Sequence, residues 1–107
     1  MREITINNKL RRILPEFMIG ACSFSIKAVK DNSCLNMFIE NIKKAVKSKY
    51  ELSDVLKIPN ILAARDAYKK LGKDPSRYRL AVESLFRRIV KGNDLYRINS
   101  VVDTGNT

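Results

Sequence analysis

Two helix-like segments joined by a short break constrain the fold of this chain most strongly. The break, residues 74–76, reads Asp-Pro-Ser, and the two segments end at Gly72 and Gly92. Within both segments apolar residues recur at spacings of three and four, which is typical of one face of an α-helix. They are Ile61, Ala64, Tyr68 and Leu71 before the break, and Val82, Leu85, Phe86, Ile89 and Val90 after it. We therefore expect two helices here, and we expect the function to lie within residues 61–106.

The rest of the chain adds further helices and a few strands. Residues 31–33 offer a turn and a helix cap, and an apolar stripe from Leu35 to Val46 predicts an amphipathic helix after them. Polar and apolar side chains alternate from Glu3 to Ile6 and from Cys22 to Val29, which predicts two strands. Helices packed on this small sheet would give an α+β fold in a single domain, residues 1–107. Because two strands make a poor sheet, we expect either further strands from Tyr96 to Val102 or an incomplete domain.

The charge of the chain favours a polyanionic partner. It carries 21 Lys and Arg against 11 Asp and Glu, a formal net charge of +10 over 107 residues. Such an excess suits RNA, DNA and anionic membrane surfaces alike, and it is also found on surfaces that only confer solubility. No stretch has the apolar run of a signal peptide or a membrane span, and Cys22 and Cys34 fit buried, reduced thiols. We therefore expect a cytoplasmic protein with no membrane partner.

Composition excludes several kinds of catalytic site. The chain has no histidine, which removes His-based triads and imidazole metal ligands. Its two cysteines lie 12 residues apart and make no zinc site. No phosphate-binding glycine motif occurs. We therefore expect neither a metal nor a cofactor.

The remaining polar residues are crowded into the last third of the chain. Asn99, Asp103 and Asn106 recur at intervals of four and three, which places them on one side of the segment if it is helical. They would then line a pocket and hydrogen-bond an amino group or a sugar hydroxyl; alternatively, they only cap and turn the chain. Glu83 and Arg87 lie four residues apart and are expected to form an ordinary ion pair along a helix.

An ordered series of residues runs through positions 64–106, which read ARDAYKKLGKDPSRYRLAVESLFRRIVKGNDLYRINSVVDTGN. The series comprises Arg65, the linker from Gly72 to Arg79, Glu83 with Leu85, Arg88, Gly92, Ile98-Asn99, Val102-Asp103 and Asn106. In this series the chain resembles the tRNA-editing domain of the bacterial phenylalanyl-tRNA synthetase beta subunit, the B-three/B-four domain, and its free-standing relatives. Because so many positions match in order, the resemblance is far more specific than one short motif.

The resemblance implies a layered α/β fold and the hydrolysis of tyrosine wrongly esterified to the tRNA specific for phenylalanine. It implies that the matched arginines and Glu83 are architectural, while Asn99, Asp103 and Asn106 lie near the side of the substrate pocket. A pocket without a nucleophile would work by orienting the aminoacyl ester and one water, aided by the ribose hydroxyl of the substrate. Selectivity for tyrosine would require a buried polar partner for its phenol.

The expected partner is tRNA, contacted by Arg77, Arg79, Arg87 and Arg88. Two departures from the family pattern affect the fold. This chain has Leu80-Ala81 where the family commonly has Pro-Ser before the glutamate, which removes a helix cap. The family also continues past the Asp-x-x-Asn segment into further strands. We therefore expect this chain to correspond to the N-terminal half of the domain, to be inactive alone, and to self-associate through exposed apolar surface.

Two other functions stay open beside an editing hydrolase. A non-catalytic RNA-binding module would bind tRNA in a salt-sensitive manner without deacylating it. A basic structural or protein-interaction domain would not bind tRNA at physiological salt.

Overall fold

The computed structural model describes residues 2–30 and 32–107. Within these ranges the chain forms five α-helices and one 3₁₀-helix, the latter at Leu52–Lys57. The α-helices are α1 (Asn8–Ile13), α2 (Ser33–Lys49), α3 (Pro59–Lys70), α4 (Ala81–Val90) and α5 (Ser100–Gly105). The two helices predicted around the 74–76 break are α3 and α4, and the amphipathic helix predicted after residues 31–33 is α2.

The predicted α+β fold is wrong, because the described residues form helices and no β-sheet. Neither Glu3–Ile6 nor Cys22–Val29 is a strand, although both alternate as a strand would. Tyr96–Val102 supplies no strand either, since α5 begins at Ser100 inside it. A strand satisfies its backbone N–H and C=O groups only by pairing with a neighbouring strand. No described segment pairs as a strand with residues 3–6, 22–29 or 96–102. The layered α/β architecture that the resemblance implied is corrected for the same reason.

The helix ends follow the local sequence closely. The side chain of Asn32 caps α2 by accepting a hydrogen bond from the N–H of Leu35 at 3.0 Å, whereas Asp31 of the predicted turn lies outside the described residues. Gly72 and Gly92 follow α3 and α4 with φ of 79° and 84°, a conformation that residues with a Cβ rarely adopt. Leu80, before α4, makes no side-chain cap, as the departure from the family pattern predicts.

Helix α4 lies at the centre of the fold. It packs against α2 and the 3₁₀-helix, which in turn packs against α3. Ile89 of α4, Ile39 of α2 and Leu95 form the main buried cluster. Phe86 of α4 meets Tyr50 edge to face, with 5.7 Å between ring centroids. Because α4 packs against both α2 and the 3₁₀-helix, its orientation in the fold is fixed.

The chain exposes an unusual amount of surface for its size. Its accessible area is 8544 Å², whereas a compact monomer of this mass would expose about 6,100 Å². Exposed apolar side chains from Phe17 to Val29 contribute to the excess. Cys22 and Cys34 are also exposed and unpaired, so the expectation of buried thiols is wrong. None of the described helices combines the length and the apolar character needed to span a bilayer.

Candidate nucleic-acid interface

A buried carboxylate organises the polar side of α3 and α4. Glu83 of α4 is fully buried, and Arg65 of α3 donates from Nη1 to both of its oxygens at 3.0 and 2.9 Å. Arg87 donates from Nε to Oε1 of the same carboxylate at 3.1 Å. Arg79 adds a longer ion-pair contact at 3.8 Å. The predicted Glu83–Arg87 pair is therefore present, but it belongs to a larger cluster that joins two helices.

Arg65 also fixes the linker between the helices. Its Nη2 donates to Oγ of Ser76 at 3.1 Å, and its Nη1 lies 3.5 Å from the carbonyl oxygen of Pro75. The linker is turned by Asp74, whose Oδ1 accepts the N–H of Ser76 at 2.9 Å. This arrangement agrees with the architectural role that the resemblance implied for Arg65 and Glu83.

The electrostatics of Glu83 reflect two opposing effects. Burial raises the pKa of the carboxyl group, because it disfavours the charged form. Hydrogen bonds and charge from Arg65 and Arg87 act the other way and hold the pKa of Glu83 below its ordinary value. Glu83 is therefore ionised at neutral pH and balances cations that would otherwise repel each other. It has no features of a general acid.

Beside this cluster, cationic side chains line a concave surface of α4. The concavity holds about 220 Å³ and is bounded by Arg79, Ser84, Leu85, Arg87, Arg88, Lys91, Asn93 and Tyr96. Two of its four cations, Arg79 and Arg87, pair with Glu83, whereas Arg88 and Lys91 form no ion pair with a described carboxylate. A concave surface with such a charge is suited to phosphate groups.

Arg88 and Tyr96 form an ordered stack at the edge of this concavity. The guanidinium carbon of Arg88 lies 4.1 Å from the ring centroid of Tyr96, and Nη1 lies 3.3 Å from the Tyr96 hydroxyl. The Nε of Arg88 donates to the carbonyl oxygen of Asp94. Tyr96 is nevertheless 66% exposed, which leaves ring surface open to solvent. An exposed aromatic ring beside fixed cations is a common arrangement for stacking an unpaired base.

The structure gathers three of the four predicted RNA-binding arginines. Arg79, Arg87 and Arg88 share the concavity, while Arg77 lies elsewhere, 5.5 Å from the ring centroid of Tyr78. Sequence reasoning missed Tyr96 as part of this surface, and no periodic signal marks it. It also did not assign RNA contact to Lys91, which its spacing of three from Arg88 would have placed on the same helix face.

The three predicted substrate-binding residues occupy the end of the described fold. Asn99 caps α5, its Oδ1 accepting the N–H groups of Val101 and Val102 at 3.0 Å each. Asp103 is buried, and its Oδ1 accepts the N–H of Ile98 at 2.9 Å. Asn106 is exposed at the other end of α5. The structure thus brings Asn99 and Asp103 together in one capping motif, where their oxygens hold backbone groups, and places Asn106 apart.

A further ion pair fixes the chain after α4. Lys43 of α2 donates from Nζ to Oδ1 of Asp94 at 2.7 Å and contacts Oε1 of Glu40 at 3.2 Å. The Asp94 hydrogen bond raises the pKa of Lys43, and the same bond lowers the pKa of Asp94. Within residues 2–30 and 32–107, no group of three or more Cys, Asp and Glu is arranged to hold a metal ion.

Comparison with protein-family models, with curated proteins and with solved structures finds no match to this chain. The editing-domain resemblance rests on the residues quoted for it.

Proposed function

We propose that this chain binds tRNA through the cationic concavity of α4, in the cytoplasm, and serves aminoacyl-tRNA editing. In its complete form the proposed reaction is the hydrolysis of tyrosine esterified to the tRNA specific for phenylalanine. The observation that carries the binding step is the concavity itself, with Arg79, Arg88 and Lys91 beside the open ring of Tyr96. The editing step rests on the ordered residues from Arg65 to Asn106.

The geometry around Glu83 supports the editing proposal indirectly. Arg65 on α3, the linker and Glu83 on α4 lie in three successive elements, and all belong to the resemblance and meet at one cluster. Such a cluster holds α3, α4 and the linker as one rigid unit beneath the cationic concavity. A rigid support matters because a site without a nucleophile depends on the orientation of the ester and the water.

A non-catalytic RNA-binding module is the second candidate function. The observation that favours it is the capping motif at α5, where the oxygens of Asn99 and Asp103 are occupied by backbone N–H groups. Neither side chain in that motif is an evident base or nucleophile. In this case the concavity of α4 would hold tRNA without deacylating it.

Two measurements on the same samples test the proposal. Fluorescence anisotropy with labelled tRNA should give a log K against log salt slope of about −2 to −3, as expected for three or four phosphate contacts. Release of tyrosine from Tyr-tRNA specific for phenylalanine should accompany binding when the chain is extended past Thr107 to a whole editing domain, whereas this chain alone should bind without release. Salt-sensitive binding without release by the extended protein supports the non-catalytic module, and absence of binding at about 0.15 M salt contradicts both candidates.

A matched pair of double variants locates the binding surface. Arg79→Gln with Lys91→Gln removes two positive charges from the concavity, and Lys9→Gln with Lys69→Gln removes two exposed charges elsewhere. We expect the first double variant to reduce the magnitude of the log K against log salt slope by about 1.4, and the second double variant to change it much less. Equal losses from both pairs would mean that net charge, and no particular surface, attracts the RNA.

A further inference from the structure

One segment of the chain has no regular secondary structure and is hydrogen-bonded at both ends. From Phe17 to Val29 the backbone has no helix, turn or bend, and no residue there has a positive φ. At the first end, the N–H of Phe17 donates to the carbonyl oxygen of Leu14 at 3.1 Å. At the other end, the N–H of Val29 donates to Oγ of Ser100 at 3.0 Å, and the N–H of Ser100 donates to the Val29 carbonyl at 2.8 Å. A segment without helix, turn or positive φ can take the shape that a strand requires.

One edge of this segment is open. Residues 18–28 make no backbone hydrogen bond within the described chain. In an extended chain the N–H and C=O of one residue point to the same side, and successive residues alternate. Val29 bonds to Ser100, so in an extended segment the backbone groups of residues 20, 22, 24, 26 and 28 would point to the opposite side. Open backbone groups of this kind are a template for pairing with another strand.

The side chains along the open segment are apolar and exposed. Phe24 is 66% exposed and Ile26 61%, and Cys22 and Ala28 on the same face are exposed as well. The other face carries Ser23, Ser25 and Lys27. A face of this composition is normally covered when a strand is paired.

We propose that this segment pairs, antiparallel, with the same segment of a second copy of the chain, with Phe24 opposite Phe24. This register is isologous, so each contact occurs twice about a two-fold axis. It places Cys22 opposite Ile26 and Gly20 opposite Ala28, which keeps one face apolar throughout. With residues 20, 22, 24, 26 and 28 bonded across the axis, the pairing forms about ten backbone hydrogen bonds.

The side-chain register and the surface area favour a second copy as the occupant. In this register Lys27 lies opposite Ala21, so like charges do not face each other directly. The accessible area of 8544 Å² exceeds by about 2,400 Å² the area expected for a compact monomer. A stable interface needs about 800 Å² from each partner, and the exposed apolar side chains from Phe17 to Val29 are part of this excess. Phe24 against Phe24 adds an aromatic cross-strand pair at the centre.

Two matched proline variants test the pairing edge. Ala28→Pro removes an N–H that points to the open edge, and Ala21→Pro removes one that points to the other side, where an edge strand tolerates proline. Sedimentation across the micromolar range should show wild-type dimers, a dimer constant weakened by roughly 30-fold in Ala28→Pro, and little change in Ala21→Pro. Circular dichroism of both variants checks that the helices persist. A wild type that stays monomeric, or a larger loss in Ala21→Pro, would overturn the proposal.

A cross-link tests the register independently of stability. With Cys22→Ser and Cys34→Ser as background, Phe24→Cys places two thiols opposite each other at a Cα separation of about 5.5 Å, within the range of a disulfide. Ser25→Cys is the control, because residue 25 of one copy lies opposite residue 23 of the other, so the two introduced thiols do not face each other. We expect rapid oxidation to a covalent dimer only for Phe24→Cys, and preferential cross-linking of Ser25→Cys would refute this register. Each copy carries a charge of +10, so added salt should strengthen the dimer and weaken tRNA binding. Because the two salt effects are opposite, either proposal can fail without the other.

Discussion

The substitution Glu83→Gln tests the central ion cluster most directly. It keeps the size of the side chain and one carbonyl oxygen, but it removes the negative charge that Arg65 and Arg87 share. Their side chains are only 15% and 19% exposed, so the two cations are left largely without a partner and without water. Breaking a buried pair in this way costs about 3–5 kcal/mol, and partial access to solvent favours the lower end, about 3 kcal/mol.

That loss is large for a chain of this size. A domain of about 107 residues has a free energy of unfolding of about 5–16 kcal/mol, and each kcal/mol changes the melting temperature by about 4–8 °C. We therefore expect Glu83→Gln to lower the melting temperature by about 12 °C or more, measured by calorimetry. Glu40→Gln is the matched control, because Glu40 is 49% exposed and its ion pairs with Lys43 and Arg97 are worth at most about 1 kcal/mol.

The pH dependence of the stability difference between wild type and Glu83→Gln gives a second readout. The pKa of Glu83 is lower in the folded chain than in the unfolded chain, so its contribution to stability is fully present above the unfolded value of about 4.3. The contribution is lost as the pH falls through the lower, folded value. The gap between wild type and Glu83→Gln should therefore be full at pH 7 and close under acid conditions. A loss no greater than that of Glu40→Gln at pH 7 would refute the reasoning.

Three further predictions concern local structure. Gly72→Ala should cost about 1 kcal/mol in unfolding free energy because φ is 79° there, whereas Gly20→Ala, with no positive φ and no atom within 4 Å of the added Cβ, should be close to neutral; urea titration compares the two. Asn99→Ala removes the cap of α5 and should cost about 1 kcal/mol, with faster amide exchange confined to that helix. Asp94→Asn should cost less than about 1 kcal/mol at pH 7, because Asp94 is 64% exposed beside Lys43, and the cost should vanish below the lowered pKa of Asp94; a constant cost at all pH values would contradict this.

The helices were predictable because their signals are local. The apolar spacing that defines α4, the glycines that follow α3 and α4, and the Asn32 cap of α2 all depend on residues within a few positions of each other. Their prediction is confirmed. The same holds for the weak start of α4, where Leu80 offers no cap.

The sheet was not predictable in this way because a strand depends on its neighbours. Alternation from Cys22 to Val29 is a local pattern that carries no information on what lies beside the segment, and the strand it predicts is absent from the described residues. The region from Tyr96 to Val102 has β-forming residues, yet the side chain of Asn99 starts a helix within it.

The site was predictable in its residue types and less so in its partners. Spacing gave the Glu83–Arg87 contact, but only the packing of α3 on the linker brings Arg65 to the same carboxylate, 18 residues away in sequence. Likewise, Arg87 and Arg88 belong to α4, whereas Arg79 before the helix and Tyr96 after it reach the same surface through loops that periodicity does not describe.

The bonds between Val29 and Ser100 join residues 71 positions apart in the sequence. Closing so long a loop costs chain entropy that two hydrogen bonds offset only after α2, α3 and α4 have assembled between them. The end of the chain should therefore dock late in folding and open early in unfolding. The amide of Val29 and those of α5 should then share one rate of native-state hydrogen exchange, faster than that of α4, although Val29 and Ser100 lie 71 positions apart.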